Sequence, residues 1–445
     1  MDTPTPVFPT ANAVFRRKRV HMAGNPRDLV GQMQTIDGLK QDFLCPDKLA
    51  EFLVQDSVPV LHLSKEDGTE FFFPVRDYAL GQIAGRYPAD RKPGKVGKSY
   101  ASRMHSEAPG LFCTNFNHWL ARSRKSTLWR TVDGEVRAAL SQRFRMLDNT
   151  DVVMSALKGA LAHSRETNEA RGWFDAEGRP LNTIEVFGWH MTENRVHVML
   201  FDPTVTAHLP TLDYDPNVQR YIDGGFQNTL MDPDYERRGV VERMAYALGR
   251  NPNEGGTLVF PAVEISNSEV GGGKAKVTPM GAISICSNLC KFGVELAQIH
   301  VGSDLDKNAE AVVSLKTRRK VNEGIYSQIE DVIGAAFRQE SFEKLVTGLV
   351  KTMEVELKGA VEAVEVVAKR EGLSEKDKDD ILAAFESKVA PGKATAYDAA
   401  MAVTSAAQKF QDDEAGEKTI AFEDSVAKWL GDEDKTRAYF AGALK

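Results

Sequence analysis

The chain has 445 residues, 42% of them hydrophobic and 27% charged. That is the composition of a soluble globular protein with the length of roughly three domains at about 150 residues each. No apolar run approaches the roughly 20 residues that span a bilayer, so no membrane association is expected. The net charge of −7 hides a polarity: residues 76–145 hold 14 Lys and Arg against 5 Asp and Glu. One end of the chain therefore suits an anionic partner, while the acidic remainder favours solubility.

The opening MDTPTPVFPTANAVF lacks the basic start and apolar stretch of a secretion signal. The four cysteines, Cys45, Cys113, Cys286 and Cys290, are too sparse for a disulfide framework. The expected setting is a reducing cytoplasm, that of a bacterial host cell. Residues 1–57 read as an N-terminal arm with a first helix. VPVLHL and TEFFFPV (58–63, 69–75) form a hairpin across SKEDG. RDYALGQIAGRY follows as a helix with Ala79, Leu80, Ile83 and Ala84 on one face. PADRKPGKVGKSY, rich in Pro, Gly and Lys, reads as a loop. NFNHWLARSRK resembles a short basic helix, and TLWRTVDGEVRAALS two strands around a Val-Asp-Gly turn.

Asn149 is a competent cap for the helix TDVVMSALKGALAHS, whose apolar face carries Val152, Val153, Leu157 and Leu161. IEVFGWHMTENRVHVMLF is a hairpin, and residues 203–255 are rich in turn formers. GTLVFPAVEIS and KAKVTPMGAISIC supply further strands. Residues 58–307 thus read as one α+β core built on antiparallel pairing and hairpins. From 308 to 445 the texture is all-helical and acidic. Phe342, Leu345, Val346, Leu349, Met353, Leu357, Val361 and Val364 fall at helical steps along one amphipathic helix. Ser374 opens a capping box, and TAYDAAMAVTSAAQKF and FEDSVAKWLG complete the helical region.

Residues 264–277, EISNSEVGGGKAKV, invite a phosphate-loop reading. That loop needs a hydroxyl residue after the lysine and an earlier glycine, but here Ala275 follows Lys274 and Ser268 holds the earlier position. A hairpin fits instead, with a strand to about Asn267, a glycine turn, then Ala275 and Val277 on one face and Lys274 and Lys276 toward solvent. His190 and His197 would oppose each other if Glu193-Asn194 forms a two-residue turn, but their faces offer no third ligand. Cys286, Cys290 and His300 have an uncommon zinc spacing. No metal or cofactor is expected.

Several separated phrases resemble the phage- and plasmid-associated domain-of-unknown-function family numbered 932. LWRTVDGEVRAALSQRFRMLDN aligns Arg130, Gly134, Arg137, Ser141, Arg143, Arg145, Asp148 and Asn149 with that family's longest pattern. Asn267, Ser268, Glu269 and Gly271 match its N-S-E-x-G phrase. Cys286 and Asn288 match its C-x-N phrase, and His300 and Gly302 its H-x-G phrase. The likeness runs in order from about residue 69 to residue 410 and departs at Leu289. It implies a mobile-element origin and a cytoplasmic protein, and it brings no settled activity.

Three functional expectations follow. The first is a phage or plasmid DNA-metabolism protein that binds nucleic acid, single-stranded DNA above all, without catalysis. Recombination or strand annealing would be its narrower form. Phosphates would meet Arg91, Lys92, Lys95, Lys98, Arg122, Arg124, Lys125, Arg137, Arg143 and Arg145, with Lys274 and Lys276 as outliers. Of the aromatics interleaved with these cations, Phe112, Phe116 and Trp129 read as core, which leaves Tyr78, Tyr87, Tyr100, Trp119 and Phe144 to stack bases. The second expectation is an enzyme whose Asn267, Glu269, Cys286, Asn288 and His300 converge in a cleft. The third is an assembly or host-defence interaction protein, with homo-oligomers formed through the helical C-terminal region.

Overall fold

The computed structural model describes residues 26–64, 68–86, 98–202, 205, 207–208, 258–273, 275–285, 288–292, 315–386, 394–407, 422 and 425–445. The fold is α+β, with antiparallel sheets followed by a helical C-terminal region. Among the described residues no helix is long and apolar enough to cross a membrane. The PADRKPGKVG part of the expected loop and nearly all of 203–255 lie outside the described residues.

Helix α1 (Pro26–Leu39) runs directly into β1 (Lys40–Pro46), and a short 3-10 turn (Asp47–Leu49) leads to β2 (Ala50–Gln55). The expected hairpin of β3 (Val58–Ser64) and β4 (Glu70–Pro74) forms, and β2 completes its three-stranded sheet. Helix α2 (Asp77–Arg86) buries Ala79, Leu80, Ile83 and Ala84, the face expected from the pattern. Helices α3 (Lys98–Glu107) and α4 (Pro109–Arg122) follow. The expected basic helix is only the end of α4, whose Phe112, Phe116 and Leu120 are core residues. Asn117 of α4 accepts from the N–H of Phe52 (2.7 Å) and donates to its carbonyl (2.9 Å), closing the outer edge of β2.

β5 (Ser126–Val132) and β6 (Glu135–Ser141) pair through a two-residue turn, with Asp133 at φ 53° and Gly134 at φ 74°. Both central residues left-handed is the twist-matched hairpin turn that an Asp-Gly pair favours. β1 pairs on the other side of β5, giving the order β1-β5-β6. The bridge Val75↔Val136 joins this sheet to β4, and a core of Phe52, Leu61, Phe112, Phe116 and Trp129 lies between.

Helix α5 (Asn149–Arg171) leads to the hairpin of β7 (Glu185–Met191) and β8 (Val196–Phe201). With β9 (Ala207–His208), β10 (Leu258–Asn267), β11 (Lys276–Ile285) and β12 (Asn288–Phe292) they form the second sheet, ordered β12-β11-β10-β8-β7 with β9 beside β10. Val196, Val198, Val263, Ile265, Ala275 and Val277 face α1, α5 and α6 (Leu315–Ala336) across one core. Helices α5 and α6 cross at Gly159, where a Cβ would stand 2.7 Å from the backbone of Glu330. Of the four apolar residues expected inward on α5, Val152 and Val153 are buried, Leu157 is partly so, and Leu161 is exposed, because Ala156 and Ala160 take the contact.

The single long amphipathic helix expected around 341–371 is two helices, α7 (Gln339–Met353) and α8 (Ala360–Glu371). Between them β13 (Glu356–Leu357) pairs with β14 (Ala394–Thr395), so tertiary pairing overrides the helical period. In the capping box of α9 (Glu375–Glu386), Ser374 Oγ donates to Asp377 Oδ2 at 2.7 Å, and the Asp377 N–H donates back to Ser374 Oγ. Thr395 and Asp398 make the same box for α10 (Ala396–Ala407). Residues 425–429 and α11 (Glu433–Tyr439) close a helical core that also receives Val259 and Phe292 from the second sheet.

Candidate functional site

The glycine-rich turn is held by close packing. After β10 ends at Asn267, Ser268 Oγ accepts from the Gly272 N–H at 2.7 Å, and Gly271 lies at φ 77°. Gln82 Nε2 donates to the Val270 carbonyl (2.6 Å) and Arg195 Nε to the Gly272 carbonyl (3.0 Å). A Cβ at Gly273 would sit 2.7 Å from the Arg195 guanidinium, and one at Gly272 would sit 2.9 Å from the Tyr78 hydroxyl. Here the glycines admit neighbouring side chains, which leaves no open cradle of the kind a phosphate occupies.

Asn267 and Glu269 face inward. Asn267 Nδ2 donates to the Leu147 carbonyl (2.8 Å) and to Asn149 Oδ1 (2.9 Å). Glu269, 1% exposed, is the centre of an ionic hub. Its carboxylate accepts from Lys40 Nζ (2.8 Å), Arg137 Nη1 (2.8 Å) and the Asn149 backbone N–H (2.6 Å). Helix α5 therefore begins at Asn149, with Asp148 at the cap position making no side-chain cap bond. The acceptor that satisfies its first N–H comes from a carboxylate 120 residues away. This corrects the expectation that Asn149 is the cap.

Two arginines turn into the same interior, Arg130 from β5 and Arg137 because β6 is bulged. Arg130 pairs with Ala138 and Thr131 with Val136, so Arg137 is the extra residue. Arg137 also donates to the Glu193 carbonyl through Nε (3.1 Å) and Nη2 (2.8 Å). Arg130 forks onto Asp42 with two 2.8 Å bonds and donates to the Glu269 carbonyl at 3.2 Å. Asp148 Oδ1 lies 3.3 Å from both Lys40 Nζ and Arg130 Nη1, and Asp37 pairs with Lys40.

Burial alone would raise the Glu269 pKa, but Lys40, Arg137 and Arg130 overcome it and hold it at about 2. Burial likewise opposes the Lys40 ammonium, and Glu269, Asp148 and Asp37 more than offset it, so its pKa rises. For Arg137 burial prevails over Glu269 and the direction is downward. A carboxylate ionised at neutral pH with its oxygens engaged by donors is a poor proton acceptor for a reaction. The hub thus joins β1, β5, β6, the start of α5 and the β10–β11 turn. Arg130, Arg137 and Asn149 of one family-like phrase meet Asn267 and Glu269 of another.

Of the cleft expected from Asn267, Glu269, Cys286, Asn288 and His300, the three described residues do not come together. Asn267 and Glu269 are packed, and Asn288 pairs with Ile285 at the far end of the ten-residue β11. That is about 30 Å along the ladder at roughly 3.4 Å per residue. Cys286 and His300 lie outside the described residues, as do the side chains of Asn288 and Cys290. His190 does oppose His197. His197 Nδ1 lies 3.0 Å from Glu264 Oε1, and the His190 side chain is outside the described set. Among the described residues no group of three His, Cys, Asp or Glu is placed to hold a metal ion.

The expected phosphate contacts divide sharply. Arg137 is corrected outright: it is 1% exposed and bound to Glu269, so its guanidinium cannot reach a phosphate. Lys276, expected in solvent, is half-buried in β11 opposite Ser266. Arg91, Lys92, Lys95 and Lys274 lie outside the described residues, as does the Lys98 side chain. Arg122, Arg124, Lys125 and Arg143 are exposed, and Arg145 is half-buried. Arg122, Arg124, Lys125 and Arg143 share one end of the β1-β5-β6 sheet, because Pro46 pairs with Ser126 and Thr127 with Ser141.

The same register adds the exposed Lys48, which sequence reasoning missed; no local signal marks it. Its neighbour Asp47 is turned inward, accepting from the hydroxyls of Ser123 (2.6 Å) and Thr127 (2.5 Å). Phe112, Phe116 and Trp129, read from the sequence as core aromatics, are fully buried, and Tyr87 lies outside the described residues. Trp119 packs against that core, and Tyr78 and Phe144 pack against Leu140 and Val270.

A separate groove of about 1050 Å³ lies between α1, α5 and α6, with Val30, Met154, Leu157 and Leu161 among its walls. No family model matches this chain, and no curated protein or solved structure matches it either, so the resemblance described above rests on its own phrases.

Proposed function

We propose that this chain binds nucleic acid through the basic end of the β1-β5-β6 sheet, as a phage or plasmid DNA-metabolism protein that acts by binding. The observation that supports this reading is the gathering of Arg122, Arg124, Lys125, Arg143 and Lys48 at adjacent strand ends, with Asp47 turned away from them. Cations held together on a surface displace condensed counterions from a phosphate backbone, and this drives association at low salt. Strand annealing during recombination is the narrower form of the same reading.

Fluorescence anisotropy with a labelled oligonucleotide tests it. Binding is expected at low ionic strength and to weaken steeply with salt. The triple variant Arg122→Ala, Arg124→Ala, Lys125→Ala should lower affinity at least tenfold. A wild-type chain with no affinity at low salt, or a triple variant that binds unchanged, would overturn the proposal.

A further inference from the structure

We infer that this surface reads the phosphate backbone alone, so that it takes duplex and single-stranded DNA with similar affinity; the inference rests on the proposed function above. A single-strand binder pairs cations with rings on which bases stack. Among the described residues the cations are presented at this end of the sheet, while most rings of the basic stretch are withdrawn. Phe112, Phe116 and Trp129 are 0% exposed, Trp119 packs on them, and Tyr78 and Phe144 pack against Val270. Tyr100 is 56% exposed and stands on α3, which packs against α2, α4 and β3 and not on a strand of this sheet.

The backbone that carries the cations is also fixed in place. The Asp47 N–H donates to the Lys125 carbonyl (3.0 Å), the Lys125 N–H to Ser123 Oγ (3.2 Å), and Arg86 Nη2 to the Ser126 carbonyl (2.8 Å). With its carboxylate held by Ser123 and Thr127, Asp47 locks the 3-10 turn to the start of β5. Lys48, Arg124, Lys125 and Arg143 thus project from a rigid frame of three strand ends spanning about 10 Å. Such a frame meets the regular charge of a duplex without rearranging, and a single strand can drape over it equally well.

The consequence is quantitative. Five exposed cations allow a slope of log K against log salt of up to about −4.5 on duplex and about −3.5 on single strands. A stacking ring would favour the single strand by roughly 5- to 150-fold per base. The test uses the full-length chain with a labelled 30-mer, alone and annealed to its complement, titrated at several salt concentrations. The two affinities should agree within about fivefold at low salt. Arg124→Ala should make both slopes shallower by about 1, and Tyr100→Ala should change neither affinity. A preference above about tenfold for either strand type, or its disappearance in Tyr100→Ala, would overturn the inference while leaving the proposed function standing. Failure to bind either substrate at low salt would overturn the proposed function and this inference together.

Discussion

Replacing Glu269 with Gln keeps the shape of the hub and removes its central charge. At neutral pH Lys40 and Arg137 are then left buried with less compensation, a loss expected to cost about 3–5 kcal/mol. The structure also sets how that cost depends on pH. Glu269 titrates near 2 in the folded chain against 4.5 for an unperturbed glutamate. That difference corresponds to about 3 kcal/mol of stability at neutral pH. Because the folded pKa is depressed, the contribution is full above about 4.5 and declines as pH falls toward 2. Roughly 2 kcal/mol of it should be gone by pH 3. Glu269→Gln has no such group to titrate, so the gap between wild type and variant should narrow by that amount between pH 6 and pH 3. Urea unfolding followed by tryptophan fluorescence at several pH values measures it. A gap below about 1 kcal/mol at pH 6, or one that stays constant to pH 3, would refute the hub as a source of stability.

Gly159→Ala places a methyl group against the Glu330 backbone and should lower stability by about 1–3 kcal/mol in thermal melts. Gly324→Ala, on α6, the helix that Gly159 meets, but facing open space, should be neutral or stabilising by up to about 1 kcal/mol; equal effects at the two sites would contradict the crossing geometry. Ser374→Ala removes one half of a reciprocal cap and should cost about 1 kcal/mol, whereas Ser374→Asp, which can still accept from the Asp377 N–H, should recover part of it.

The parts of the fold legible in the sequence are those fixed by local chemistry. Asp133-Gly134 requires two left-handed residues and so announces its hairpin. The spacing of Ala79, Leu80, Ile83 and Ala84 describes α2, and the Ser374 box describes the start of α9. The hairpin from Asn267 to Ala275 also follows from glycine placement and alternation. What could not be read depends on distant partners. The bulge that turns Arg137 inward has no marker in EVRAAL, where strict alternation leaves an arginine free to face solvent. The break between α7 and α8 follows from β14, some 37 residues beyond β13. The basic strand end was legible as charge, but Lys48 joins it only through the β1–β5 register.

The hub also has an order in time. Lys40, Arg130 and Arg137 leave the ribosome well before Glu269, which lies 229 residues after the first and 132 after the last. Until then the interior between β5, β6 and α5 holds Arg137 without its principal counter-charge, and α5 lacks the acceptor for its first N–H. The N-terminal half can form its hairpins early, since their contacts are local. It cannot close around Arg137 until the β10–β11 turn arrives. In the finished chain, that turn works as a late-inserted bolt across segments translated long before it.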